Sequence, residues 1–148
     1  MVEFAMVATV FFIFIFGIMD LGRYFFVQHT LQFATREGVR LGLIGNTLTD
    51  PSGNSLSREA SIIKAIKDNA STAVDPTKLS ISIFPVQSNY SDPTGWEEQL
   101  NAGGPGDYMR VRTRYTCDFL TPLTANFFPK EIIEIQAEAT YRNELFDR

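Results

Sequence analysis

The chain holds one cysteine, Cys117, and one histidine, His29, in 148 residues. A lone thiol closes no internal disulfide, so an exported product of this sequence must hold its fold by core packing alone. The same scarcity removes most of the ingredients of catalysis. There is no Cys-x-x-Cys pair, no His/carboxylate metal spacing and no phosphate-binding glycine loop. A Cys117 nucleophile would need His29 folded against a strand position that belongs to the core, and Cys117 reads better as a small buried hydrophobe. The chain is therefore expected to be no enzyme, and no cofactor or metal is implied. An excess of positive charge is also lacking: a net charge of −4 and a pI near 5.0 argue against a nucleic-acid partner, whose phosphates call for a basic surface. Internal repeats and low-complexity tracts are absent.

Charge is missing most conspicuously from Phe4 to Met19, where Phe11, Phe12, Phe14 and Phe16 sit among Ile, Val, Met and Ala. A helix that is apolar all round needs lipid or other apolar helices on every side. At 1.5 Å per residue the run spans roughly 24 Å, a short single span that flanking residues complete by snorkelling. A cleavable secretory signal begins with a basic region and ends at small residues. This segment begins Met1-Val2-Glu3 and runs on as charged helix, so it is expected to be retained.

Glu3 is a carboxylate at the head of an apolar helix. Such a charge is expensive to desolvate unless paired, which leaves two readings: a residue at the headgroup level beside the amino terminus, or a pairing device between subunits. Val2-Glu3-Phe4-Ala5, the apolar run and Gly17-Ile18-Met19-Asp20-Leu21-Gly22-Arg23 together resemble the amino terminus of TadE-like pilins. Ala34-Thr35-Arg36-Glu37-Gly38-Val39-Arg40, Asp107 to Arg112 and Ala137 to Glu144 continue the similarity, which skips the middle of the chain. Two departures stand out: no leader or cleavage glycine stands ahead of Met1 in this sequence, so that either the mature form begins there or residues precede it, and Glu3 is third where type IV pilins carry the glutamate fifth.

The resemblance implies a subunit whose apolar helix packs with its copies, or with other pilins, in an extracellular type IV-like filament after residence in the bacterial inner membrane. Its alternative is a membrane-anchored accessory pseudopilin that supports assembly without forming the bulk filament. Either way the assembly residues are expected to be Met1, Glu3, Phe4, Phe11, Phe12, Phe14, Phe16, Gly17 and Gly22. Glu3 is expected to pair with the amino-terminal amine of a neighbour. Gly17 and Gly22 are either hinges where the helix bends or ordinary glycines in a straight one.

The expected fold is α+β, with residues 1–22 as the membrane or filament-core helix and 23–148 as a globular domain on its continuation. From Asp20 onward Val27, Leu31, Ala34, Gly38 and Leu41 recur at helical spacing. Ala34, Gly38 and Gly42, four apart, are expected to let the sheet approach the helix closely. Gly45-Asn46 is the predicted stop. The following polar loop carries Asn46, Asp50 and Asn54 but lacks the dense acidic spacing of a calcium loop. Ser57 is a predicted N-cap for a helix to about Ala70. Leu79, Ile81 and Ile83 alternate with Ser80 and Ser82 as a half-buried strand. Two further strands are expected to oppose Arg110, Arg112 and Arg114 to Glu134 and Glu138 on one face, and to turn Met109 to Cys117 and Ile133 to Tyr141 inward on the other. Between them and the first strand, Pro85 to Gly106 forms a long polar loop whose Tyr90 and Trp96 are candidate surface contacts, or, for Trp96, a pin that holds the loop down.

Overall fold

The computed structural model describes residues 2–87, 89–118 and 132–145. Helix α1 (Val2–Leu43) is followed by α2 (Arg58–Ala70), then strands β1 (Leu79–Val86), β2 (Tyr108–Asp118) and β3 (Ile132–Arg142), with short 3-10 turns at Pro76–Lys78 and Trp96–Glu98. The sheet has the order β1-β2-β3 and both pairings are antiparallel. This is the α+β, pilin-like arrangement expected, with α1 laid across one face of the sheet and α2 alongside it.

Each boundary has a local cause. Nothing between Val2 and Leu43 breaks a helix, and Gly45, at φ 71°, ends it because a left-handed backbone costs glycine little. Ser57 caps α2, its hydroxyl accepting from the Ala60 amide at 3.1 Å. Asp50 organises the loop between the helices by accepting from the Ser52 and Asn54 amides.

The core forms where three apolar stripes meet. Val27, Leu31 and Ala34 of α1, Ile62 and Ile66 of α2, and Met109, Val111, Ile135 and Ala137 of the sheet are all buried. Thr35 is buried among them, and its hydroxyl meets that of Thr113 at 2.8 Å while also donating to the Leu31 carbonyl. Ala34, Gly38 and Gly42 lie on the buried side of α1. The close approach at the two glycines is to α2 instead of the sheet: a Cβ at Gly38 would stand 2.3 Å from Ile66 Cγ1, and one at Gly42 would stand 2.4 Å from Ile62 Cδ1. The sheet touches this row through Met109, whose Cε would lie 3.4 Å from a Gly42 Cβ.

Arg58 ties three segments together. Its guanidinium donates to the carbonyls of Gly42, Ala102 and Gly103, so one cation satisfies the open C-terminal end of α1 and fixes a distant loop to it. The Glu144 amide adds a bond to the Leu43 carbonyl.

The far face of the sheet departs from expectation. Alternation along β1 predicts Ser82 turned to water, yet Ser82 and Phe84 are fully buried. The reason is the long loop, which folds back over them. Ser82 Oγ donates to the Glu97 carbonyl at 2.6 Å, and Ile83 exchanges backbone bonds with Gln99 and Asn101 along the edge of the sheet. Tyr141, expected inward, is 48% exposed because β3 is an edge strand and its last side chains border an open cleft with Arg36, Arg40 and Leu43 of α1.

Candidate assembly interface

The apolar segment of α1 stands entirely outside the core. Within Val2–Leu43 lies an 18-residue stretch long and apolar enough to cross a membrane, and none of it is buried. Phe4 is 79% exposed and Phe14 67%. Phe12 and Phe16 stack one turn apart at 6.1 Å, with Phe11 edge-on to Phe12. The Thr9 hydroxyl, a rare polar group here, donates to the Ala5 carbonyl at 2.8 Å, as a hydroxyl in a waterless surround must. Gly17 and Gly22 belong to an unbroken helix, and nothing lies within 4 Å of where a Cβ at either would stand. Glu3 is exposed in the first turn, where a negative charge suits the helix dipole. Met1, its expected counterpart in a neighbour, lies outside the described residues.

Sequence reasoning missed how far the outward apolar surface extends. Beyond Met19 it continues through Leu21, Phe25, Phe26 and Phe33, each about half exposed, on the side of α1 that turns away from Val27, Leu31 and Ala34. The signal was present: these positions fall opposite the buried stripe on a 3.6-residue repeat. Between this side of α1 and α2 lies an open groove of about 520 Å³ lined by Phe26, His29, Thr30 and Phe33 from α1, Asp68 and Asn69 from α2, and Thr72 just past the end of α2.

Trp96 and Tyr90 sit on the opposite side of the domain. Trp96 packs against Phe84, with ring centroids 5.5 Å apart, and lies beneath the guanidinium groups of Arg112 at 4.2 Å and Arg114 at 5.1 Å. The loop is thereby pinned to the sheet. Asp92 adds a second clamp by bonding both Arg110 and Arg112, and Arg112 also reaches Glu138, its register partner on β3, at 2.6 Å. The cross-strand ladder is thus one direct pair, because Arg110 faces Thr140 and Arg114 faces Gln136. Tyr90, at φ 60° and 52% exposed, rests edge-on against Tyr108.

Partial burial pushes the Asp92 carboxyl up, but the hydrogen bonds and charges of Arg112 and Arg110 outweigh it and hold the group below the usual carboxylate value. A depressed folded-state pKa contributes stability above the unfolded value, about 3.9, and loses it as pH falls through the folded one. Acid below about pH 4 is therefore expected to loosen the loop before the domain. Trp96 emission should shift to the red while the helical circular dichroism holds; coincident transitions would contradict a local clamp.

Cys117 faces the core, and burial raises its thiol above the ordinary value, the opposite of an activated nucleophile. Among the described residues no group of three or more His, Cys, Asp or Glu could hold a metal ion.

The family model described as TadE-like protein matches residues 1–40, the segment made of the apolar run and the first turns that carry the domain. No curated protein and no solved structure matches the chain.

Proposed function

With an amino terminus of TadE-like character on a pilin-like fold, we propose that this chain is a non-catalytic structural subunit of a Tad-type, type IV-like pilus, held in the membrane by α1 and then assembled with its copies through the same helix. One observation carries the reading: α1 gives one half of its length to a folded domain and leaves the other half wholly bare. Residues from Phe4 to Met19 stay dry in a bilayer and, after extraction from it, only against other apolar helices. The Trp96 loop, polar and on the side of the sheet away from α1, suits the water-facing surface of such a filament.

Negative-stain microscopy of sheared extracellular material tests the proposal. Abundant filaments composed of this polypeptide are the expected result. The chain found only in the membrane fraction, at trace levels beside filaments of another subunit, would favour an accessory pseudopilin.

A further inference from the structure

Two rows on α1 have the same spacing and opposite end charges. Glu3, Met6, Val10, Ile13, Gly17 and Asp20 follow one another at intervals of three and four, and so do Arg23, Phe26, Thr30, Phe33, Glu37 and Arg40. Each member of the second row lies twenty positions after its counterpart in the first. Alternating steps of three and four mark one side of a helix, the seam by which parallel helices pack at a shallow angle.

Building on the filament reading, we propose that a second copy of this chain lays the row Glu3 to Asp20 of its α1 along the row Arg23 to Arg40 of the first, parallel and displaced by twenty residues, or about 30 Å. Charge complementarity selects this register. The acids that bracket the apolar row are seventeen residues apart, and of the α1 arginines 23, 36 and 40 only Arg23 and Arg40 share that separation. Zero displacement would set Glu3 against Glu3 and Asp20 against Asp20. Like charges so placed are penalised, whereas the smooth apolar surface between them is indifferent to sliding.

The exposed surfaces suit this seating. Phe26 and Phe33 are 56% and 55% exposed beside the open groove next to α2, and Met6 and Val10 are 62% and 53% exposed on the bare segment. Gly17 falls opposite Glu37, which is already bonded to Arg40 at 2.9 Å, and the empty space around Gly17 leaves room for that pair. Arg23 donates to the Asp118 carbonyl and retains donors for Glu3. The first row faces the same side of α1 as the core residues higher up, so the partner's domain sits above that of the first copy, head to tail. Such a contact does not close on itself and propagates as a filament.

Disulfide trapping in a Cys117→Ala background reads the register. Met6→Cys with Phe26→Cys is expected to give a ladder of covalent oligomers, because each chain links to two others. A dimer and no ladder from this variant, equal to that from Met6→Cys alone, would mean zero displacement and overturn the proposal. Efficient linkage of Met6→Cys to Glu37→Cys would mean an antiparallel pair and overturn it likewise. Charge exchange supplies the second readout: Glu3→Arg should lose assembly and the added Arg23→Glu should restore it. No change at position 23 would rescue a pairing of Glu3 with an amino terminus. Filaments without the ladder would refute this register alone, and a ladder in membranes without filaments would refute the filament alone.

Discussion

Glu3→Gln is expected to lower the yield of sheared filaments by about tenfold or more, with the folding of the domain and its insertion in the membrane unchanged. The charge sits in the exposed first turn of α1, far from any core residue, so nothing in the domain depends on it. In a packed bundle of helices it is different. Burial of the phenylalanines supplies most of the association energy at roughly 25 cal/mol per Å², but gives little preference for one axial position over another. A buried carboxylate left without a cation is penalised by several kcal/mol, so only positions that supply the cation survive. Glutamine keeps the shape, removes that selection and leaves the opposing cation unpaired. A loss of as little as about 1.4 kcal/mol per contact is tenfold in its equilibrium constant, and each subunit makes more than one contact. Filaments of Glu3→Gln at normal yield and with unchanged helical symmetry would show that Glu3 has only an interfacial role.

Gly38→Val is expected to lower the stability of the domain by about 3 kcal/mol, the upper end of ordinary overpacking. A Cβ at this position would stand 2.3 Å from Ile66 Cγ1 and 3.1 Å from the Ile62 carbonyl oxygen. Ile66 is fully buried and has nowhere to turn, and the carbonyl belongs to the backbone of α2. The gain in helix propensity over glycine, below about 1 kcal/mol, is too small to offset the separation of the two helices. For a domain of this size the melting temperature should fall by roughly 10 °C. Gly17→Val is the control, since its surroundings are empty, and should leave the transition in place. An unchanged melting temperature for Gly38→Val would mean that the α1–α2 contact is looser than its geometry.

Both glycines were legible as close-approach positions before their partner was. Spacing along one helix reports which side is buried and nothing about what covers it, and α2 and the sheet present equally apolar stripes. The elements themselves were plain: an unbroken apolar helix, a capped second helix, and strands whose alternation fixed the side each residue faces. The outer side of β1 was not legible. Ser82 reads as a solvent-facing residue in a two-residue repeat, and only the return of the loop, held by Trp96 and Asp92, buries it with Phe84. The pairing of Asp92 with Arg110 and Arg112 spans eighteen and twenty residues of chain, a distance at which no local pattern speaks. Arg58 was equally silent, because a cation at the start of a helix gives no hint that it caps the end of another.

That last contact bears on how the subunit would carry a load. A pull along α1 enters the domain through the side of the helix, where the interlocked glycines, the Thr35–Thr113 bond and the Gln32 amide on the Glu138 carbonyl all lie across the direction of force. Bonds arranged in this way are strained together and yield together, unlike the rungs of a ladder peeled from one end. Arg58 and the Glu144 amide hold the last turn of the same helix, so tension cannot begin by fraying it there. The domain is fastened to its helix as a cleat is to a mast, in shear along the whole overlap.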